Sequence, residues 1–210
     1  MKKTFHILLL VLLANLHAAG QSTSAGQVLD NLLNTVKTNA IRAKFILSAS
    51  EMKSSTPQTS TGSFTLKGTR FILEMDEMKV WFDGKTQWAY APRNNEVTIT
   101  EPTEKELAET NPLAILSAYK SKSVINFSKT KSGQNHILEI IPKTQNPNVS
   151  KIEIQVNKNT QNLQSIKITN KKGGIILLTL SNFEKGLNIP DNHFVFNRAK
   201  FKGAVENDLR

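Results

Sequence analysis

Cysteine is absent from the chain. Its absence excludes a disulfide framework, a thiolate nucleophile, a cysteine-ligated zinc or iron–sulfur site, and a lipid anchor attached through a cysteine. Histidine is nearly as scarce: His6, His17, His136 and His193 are the only four. The two later ones stand at the start of predicted strands, without the paired spacing that chelates a metal. No serine lies in a Gly-x-Ser-x-Gly elbow. Asp83-Gly84-Lys85-Thr86 contains a Gly-Lys-Thr string, but position 79, where a phosphate loop needs its first glycine, is Lys79. That string sits between two strand patterns and reads as a hairpin turn. The carboxylate pairs Glu74/Asp76 and Glu104/Glu106 read as solvated faces. Neither catalytic residues, a metal site nor a cofactor is expected.

Long apolar runs are also missing after the first twenty residues. Lys2 and Lys3 precede an unbroken apolar stretch from Ile7 to Leu13, and Ala18-Ala19-Gly20 supplies small residues for cleavage before Gln21. The stretch is shorter than the roughly 20 apolar residues that span a bilayer. Residues 1–20 are therefore expected to be a signal peptide, cleaved near Gly20, that exports the remainder to a bacterial periplasm. Cleavage removes two of the 27 basic residues and none of the 17 acidic ones, leaving a net charge of +8. The lysines are scattered over nearly every strand pattern and do not cluster with aromatics on one face. Solubility and weak attraction to anionic surfaces are expected, and nucleic acid is not.

What is present is periodicity. Ser24 can cap a helix whose apolar residues Val28, Leu29, Leu32, Leu33 and Val36 share one face. After Asn39 the period drops to two, with Ile41, Ala43, Phe45, Leu47 and Ala49 alternating with polar residues. Strand patterns follow at 62–68, 70–75, 79–82, 86–91, 96–100, 123–131, 136–142, 151–157, 163–170, 175–183 and 193–196. Turn residues such as Lys67-Gly68, Asp83-Gly84 and Gly173-Gly174 separate them. Between Thr103 and Lys120 the spacing is helical again: Thr103 and Glu106 form a capping box, and Asn111-Pro112 opens a second short helix. The expected fold is α+β and mainly β. About eleven antiparallel strands should form a strongly curved, incomplete barrel with both helical segments covering its concave face. No repeat or linker divides residues 21–210, which are expected to be one domain.

Large apolar residues are in surplus between Phe64 and Tyr90, at both strand parities around Phe71-Ile72-Leu73 and Val80-Trp81-Phe82. They can form a helix-on-sheet core, or line a cavity for an apolar ligand. The expected lining is Phe45, Phe64, Leu66, Phe71, Leu73, Trp88 and Tyr90 from the sheet, with Leu113 and Leu116 from the helical cover. The five residues from Phe45 to Leu73 share one parity within their own strands.

Several strings, in order, resemble the LolA family of periplasmic lipoprotein carriers in its Bacteroidetes-type form, over essentially the whole of residues 21–210. They are Gly62-Ser63-Phe64-Thr65-Leu66-Lys67-Gly68 with Arg70-Phe71, Phe82-Asp83-Gly84-Lys85-Thr86-Gln87-Trp88-Ala89-Tyr90, Asn95-Glu96-Val97-Thr98-Ile99, Asn111-Pro112-Leu113, Phe194-Val195-Phe196-Asn197 and Val205-Glu206-Asn207-Asp208-Leu209-Arg210. The resemblance implies a half-barrel lidded by helices and a monomer. It would bind the acyl chains of a lipoprotein in an apolar cavity. An inner-membrane lipoprotein-releasing transporter would supply the cargo and an outer-membrane acceptor would take it. The alternative is a module for another hydrophobic ligand or lipid. Proteobacterial members place an arginine and a proline directly after the lysine matching Lys67, and that arginine tethers the lid. Here Gly68 and Thr69 occupy those positions, and Arg70 is the nearby tether candidate.

Overall fold

In the computed structural model, residues 23–51, 56–103, 106–107, 114–143 and 148–210 are described. Twelve strands form one sheet. They are β1 (Ala40–Ser50), β2 (Gln58–Lys67), β3 (Arg70–Met75), β4 (Lys79–Phe82), β5 (Gln87–Ala91), β6 (Glu96–Thr100), β7 (Ser123–Phe127), β8 (Asn135–Pro142), β9 (Val149–Asn157), β10 (Leu163–Asn170), β11 (Ile175–Lys185) and β12 (Val205–Asp208). The order across the sheet is β12-β6-β5-β4-β3-β2-β1-β11-β10-β9-β8-β7. Two antiparallel meanders, β1–β6 and β7–β11, are thus joined through the long β1–β11 pairing, and the sheet stays open at β12 and β7. A β-bulge between Arg42 and Lys44 interrupts the β1–β11 ladder, the kind of irregularity that adds twist and bends a strand. The sheet is curved.

The hairpins follow from local chemistry. At the β4–β5 turn the Asp83 carboxylate accepts from the backbone N–H groups of Lys85 (2.9 Å) and Thr86 (2.8 Å), and Gly84 takes φ +106°. An L side chain is strained at that φ, which explains glycine there. At the β9–β10 turn Asn157 plays the same part, its Oδ1 accepting from Asn159 and Thr160 at 3.0 Å.

Helix α1 (Ala25–Thr38) opens with a full capping box: the Ser24 hydroxyl accepts from the Gln27 N–H at 3.2 Å, and Gln27 Oε1 accepts from the Ser24 N–H at 2.7 Å. Two of its otherwise unpaired amide groups are thereby satisfied. Val28, Leu29 and Leu32 are buried on its sheet-facing side. Helix α2 (Ala114–Lys120) lies on the same side, against β7 and β8, while α1 packs on β7 and β2. Ahead of α2, Thr103 and Glu106 make the expected capping contacts, Glu106 Oε2 accepting from Thr103 N–H and hydroxyl at 2.8 Å each.

Three expectations change. The segment around Phe194 is not a strand: Asp191–Phe194 and Arg198–Lys200 are short 3-10 turns, so His193 lies in a turn and does not begin a strand. Phe194 and Phe196 are needed as a cover for the sheet's other face, and that geometry leaves no strand neighbour for their backbone. The closing strand is β12, in the tail, and it runs parallel to β6, the one parallel pair in the sheet. Finally, β7 stops at Phe127, short of the predicted Lys131.

Candidate functional site

Strand alternation sends one set of side chains to the helix-covered face and the other set to the opposite face. Register fixes which set is which. Phe45 stands opposite Gly62, Phe64 opposite Leu73, Leu66 opposite Phe71, and Phe71 opposite Phe82. All of these face the helices, as do Val80, Ala89, Leu138, Ile140, Ile152, Ile154, Val156, Ile166, Leu178 and Leu180 from the neighbouring strands. The result is a continuous apolar surface covered by α1 and α2. Leu116 of α2 is 1% exposed within it, with Tyr119 packed beside the same cluster.

The aromatic part of this face has a defined geometry. The Phe45 and Phe64 rings are stacked with centroids 6.4 Å apart, and Phe71 and Phe82 lie 5.4 Å apart. Gly62 is the reason Phe45 fits: a Cβ at position 62 would stand 2.6 Å from Phe45 Cζ and would also clash with the Glu74 carbonyl oxygen. The ring therefore lies over bare backbone. The charged groups sit at the edge of the cover. Lys120, in the last turn of α2, pairs with Asp30 of α1 at 2.6 Å, both half-exposed.

Of the residues expected to line this face, the structure brings Phe45, Phe64, Leu66, Phe71, Leu73 and Leu116 together. Leu113 lies outside the described residues. Trp88 and Tyr90 are a correction, because both point to the opposite face. Trp88 is paired across the ladder with Trp81, and Tyr90 with Lys79. Since Phe82 and Val80 face the helices, Trp81 and its partner cannot. Their parity is consistent within β5, but nothing in one strand tells which face that parity meets. They join a second apolar cluster of Ala40, Ile72, Trp81, Val97, Ile189, Phe194 and Phe196. Phe196 and Phe201 contact Trp81 at 5.3 and 5.4 Å and Tyr90 at 6.4 and 4.6 Å. The C-terminal segment thus lies over the sheet's outer face.

Arg70 is the other correction. Adjacent residues of a strand face opposite ways, and Phe71 faces the helices, so Arg70 points away from the cover it was expected to tether. Its Nε donates to the Asp83 carbonyl at 3.0 Å, and its guanidinium pairs with Asp191 at 3.3 Å. Lys67 joins it, donating to the other Asp191 oxygen at 2.8 Å and to the Ile189 carbonyl at 2.7 Å. The hydrogen bond from Lys67, reinforced by the Arg70 charge, holds the Asp191 carboxyl below the usual carboxylate range. This pair of cations anchors the C-terminal segment.

Sequence reasoning passed over Gly62, Phe82, Ala89 and the aliphatic residues of β8–β11. The alternation of Ile152, Ile154 and Val156 with Lys151, Glu153 and Gln155 was a signal for the latter; the weight placed on aromatics hid it. Among the described residues no group of three or more His, Asp or Glu side chains could hold a metal ion.

An open, curved sheet with one apolar face covered by helices is a half-barrel architecture. The family model for the outer membrane lipoprotein carrier protein LolA matches residues 36–197, and the chain belongs to that family. It is 25% identical over 203 residues to the outer-membrane lipoprotein carrier protein of Shewanella frigidimarina, covering 93% of this chain and 92% of that one. It is 28% identical over 186 residues to the protein of that name from Shewanella baltica, covering 87% and 85%. Among solved structures, an uncharacterized conserved protein from Thermus thermophilus shares the fold, with a TM-score of 0.56 at 12% identity over 88% of this chain and 98% of that one.

Proposed function

We propose that the helix-covered face receives the acyl chains of a lipoprotein in the periplasm and carries them, one cargo to one copy of this chain, from an inner-membrane releasing transporter to an outer-membrane acceptor. Residues 1–20 serve export and are removed. The observation that carries the reading is the form of the cover. A continuous sheet face of Phe, Leu, Ile and Val is closed at α2 by seven residues with one fully buried leucine, Leu116. Displacing α2 uncovers the part of the apolar face beneath it while the sheet ladders and α1 stay in place.

The energetics suit a carrier. Each buried acyl CH₂ contributes about 0.8 kcal/mol, so one long chain leaves water with a gain on the order of 10 kcal/mol. Flexible and aliphatic side chains accommodate such a chain without fixed hydrogen bonds, which favours release as well as uptake. Native mass spectrometry of the protein taken from the periplasm tests the proposal. Co-purification of an acylated polypeptide supports it. Recovery of a free lipid alone, with no exchange for acylated peptide, overturns it in favour of a module for another hydrophobic ligand.

A further inference from the structure

On the face turned away from α1 and α2, the C-terminal segment and the outer side of β1–β4 enclose a polar groove of about 470 Å³. It belongs to neither apolar cluster's interior. Its charged lining is Arg42, Lys79 and Lys200, with Glu74 as the one carboxylate. Glu74 is already engaged: Lys79 pairs with it and the Ser63 hydroxyl donates to it at 3.2 Å. Partial burial opposes ionisation of Glu74, but the hydrogen bonds and charge of Lys79, with Ser63, outweigh it and keep the carboxyl below its ordinary range. Glu74 thus cancels Lys79, and Glu184 stands 3.7 Å from Arg42, so among the described residues Lys200 is the lining cation left without an acidic partner.

The neutral lining adds donors. Asn197 uses only its Oδ1, which accepts from the Ala199 N–H at 3.0 Å, leaving its NH₂ group over. Among the described residues, the side chains of Lys200 and Asn192 have no hydrogen-bond or ion partner, and the Arg42 guanidinium has only a 3.7 Å contact with Glu184. Trp81 and Phe201 form an apolar wall at 5.4 Å from each other.

A groove rich in donors, with its one anion satisfied, Lys200 unpaired and Arg42 only loosely paired, matches an acceptor-rich anion. The volume lies within the range of small-molecule sites and exceeds what inorganic phosphate fills. We infer that this groove binds a phosphomonoester with a short organic body, the phosphate held by Arg42 and Lys200 and the body resting on Trp81 and Phe201. Phosphate matches both the bidentate fork of an arginine and the point charge of a lysine. The source is either a soluble ester or the headgroup of a phosphatidate-type lipid. The proposal does not depend on the acyl-carrier reading.

The test titrates the full mature chain with glycerol 3-phosphate at fixed ionic strength, following backbone amide shifts by NMR. Saturable shifts confined to residues 192–201 and the facing strands are expected. Lys200→Glu, and separately Arg42→Glu, should weaken binding roughly tenfold or more, because each loses a charge-assisted contact and adds repulsion. Lys172→Glu, on the distant β10–β11 turn, should leave it unchanged. Vesicles of phosphatidylcholine alone, and of equal phosphatidylcholine and phosphatidate, form the second arm. Lys200-dependent binding to the mixed vesicles assigns the lipid headgroup; saturation by glycerol 3-phosphate without it assigns a soluble ester. If neither probe binds through these residues, or if Lys172→Glu weakens binding as much as Lys200→Glu, the groove has no such specificity and the inference fails.

Discussion

Replacing Leu116 by alanine separates a movable cover from a permanent core. Leu116 is 1% exposed, and Ile154, on the interior β9 strand, is fully buried in the same cluster. In a static core, truncating either side chain to alanine costs about 3 kcal/mol. For a chain of this size each kcal/mol lowers Tm by roughly 2–4 °C, so Ile154→Ala should lower it by about 6–12 °C. Leu116→Ala should differ. If α2 can leave the sheet while the ladders persist, the loss in global stability is capped by the free energy of that opening. The shift in Tm then stays below about 4 °C. The same opening free energy limits the local effect, so the α2 amides should exchange faster by roughly 5- to 30-fold, the equivalent of about 1–2 kcal/mol, while amides of the central strands change little. Scanning calorimetry gives the first quantity and native-state exchange under increasing denaturant the second. Equal Tm losses, together with α2 amides that exchange only through global unfolding, would refute the reasoning and make α2 ordinary core.

Gly62→Ala should cost about 1–3 kcal/mol in urea melts, since the new Cβ meets the Phe45 ring and fixed backbone of β3; a neutral result would show that Phe45 does not need the bare backbone. Asp30→Lys should speed α2 exchange severalfold and Asp30→Lys with Lys120→Asp should restore it, as a double cycle across the 2.6 Å pair reads directly. Trp88→Ala should leave uptake of a fluorescent acyl probe unchanged while Phe64→Ala reduces it, because only Phe64 faces the helices. The Asp191 carboxyl is depressed in the folded protein, so its contribution to anchoring the C-terminal segment is complete above the ordinary value near 4 and disappears as pH falls through the lower folded value. Amide exchange around Leu187–Phe194 should therefore accelerate only in acid, and Asp191→Asn should remove that dependence.

Periodicity and turn chemistry determined most of the elements. The period change at Asn39, the capping boxes at Ser24 and Thr103, and the Asx turn at Asp83 are local devices, and local physics acts the same way in any tertiary setting. The shared parity of Phe64 and Leu66, and of Phe71 and Leu73, was legible for the same reason. What joined them to Phe45 and Leu116 was a face, and a face is a property of the whole sheet. Tertiary structure decided that β1 meets β11, so two meanders become one sheet; that both helical segments cover one face of it was already expected from their apolar stripes. Tertiary structure also decided the fate of Trp88 and Tyr90, whereas that of Arg70 was legible, since it adjoins Phe71 in one strand. The parity of Trp88 and Tyr90 within a strand was correct, but which side is inner depends on the register with Trp81 and Phe82 and on a C-terminal segment that returns from a hundred residues away to cover the other side. A two-residue period has two faces of equal local standing; only burial against a distant partner breaks that symmetry.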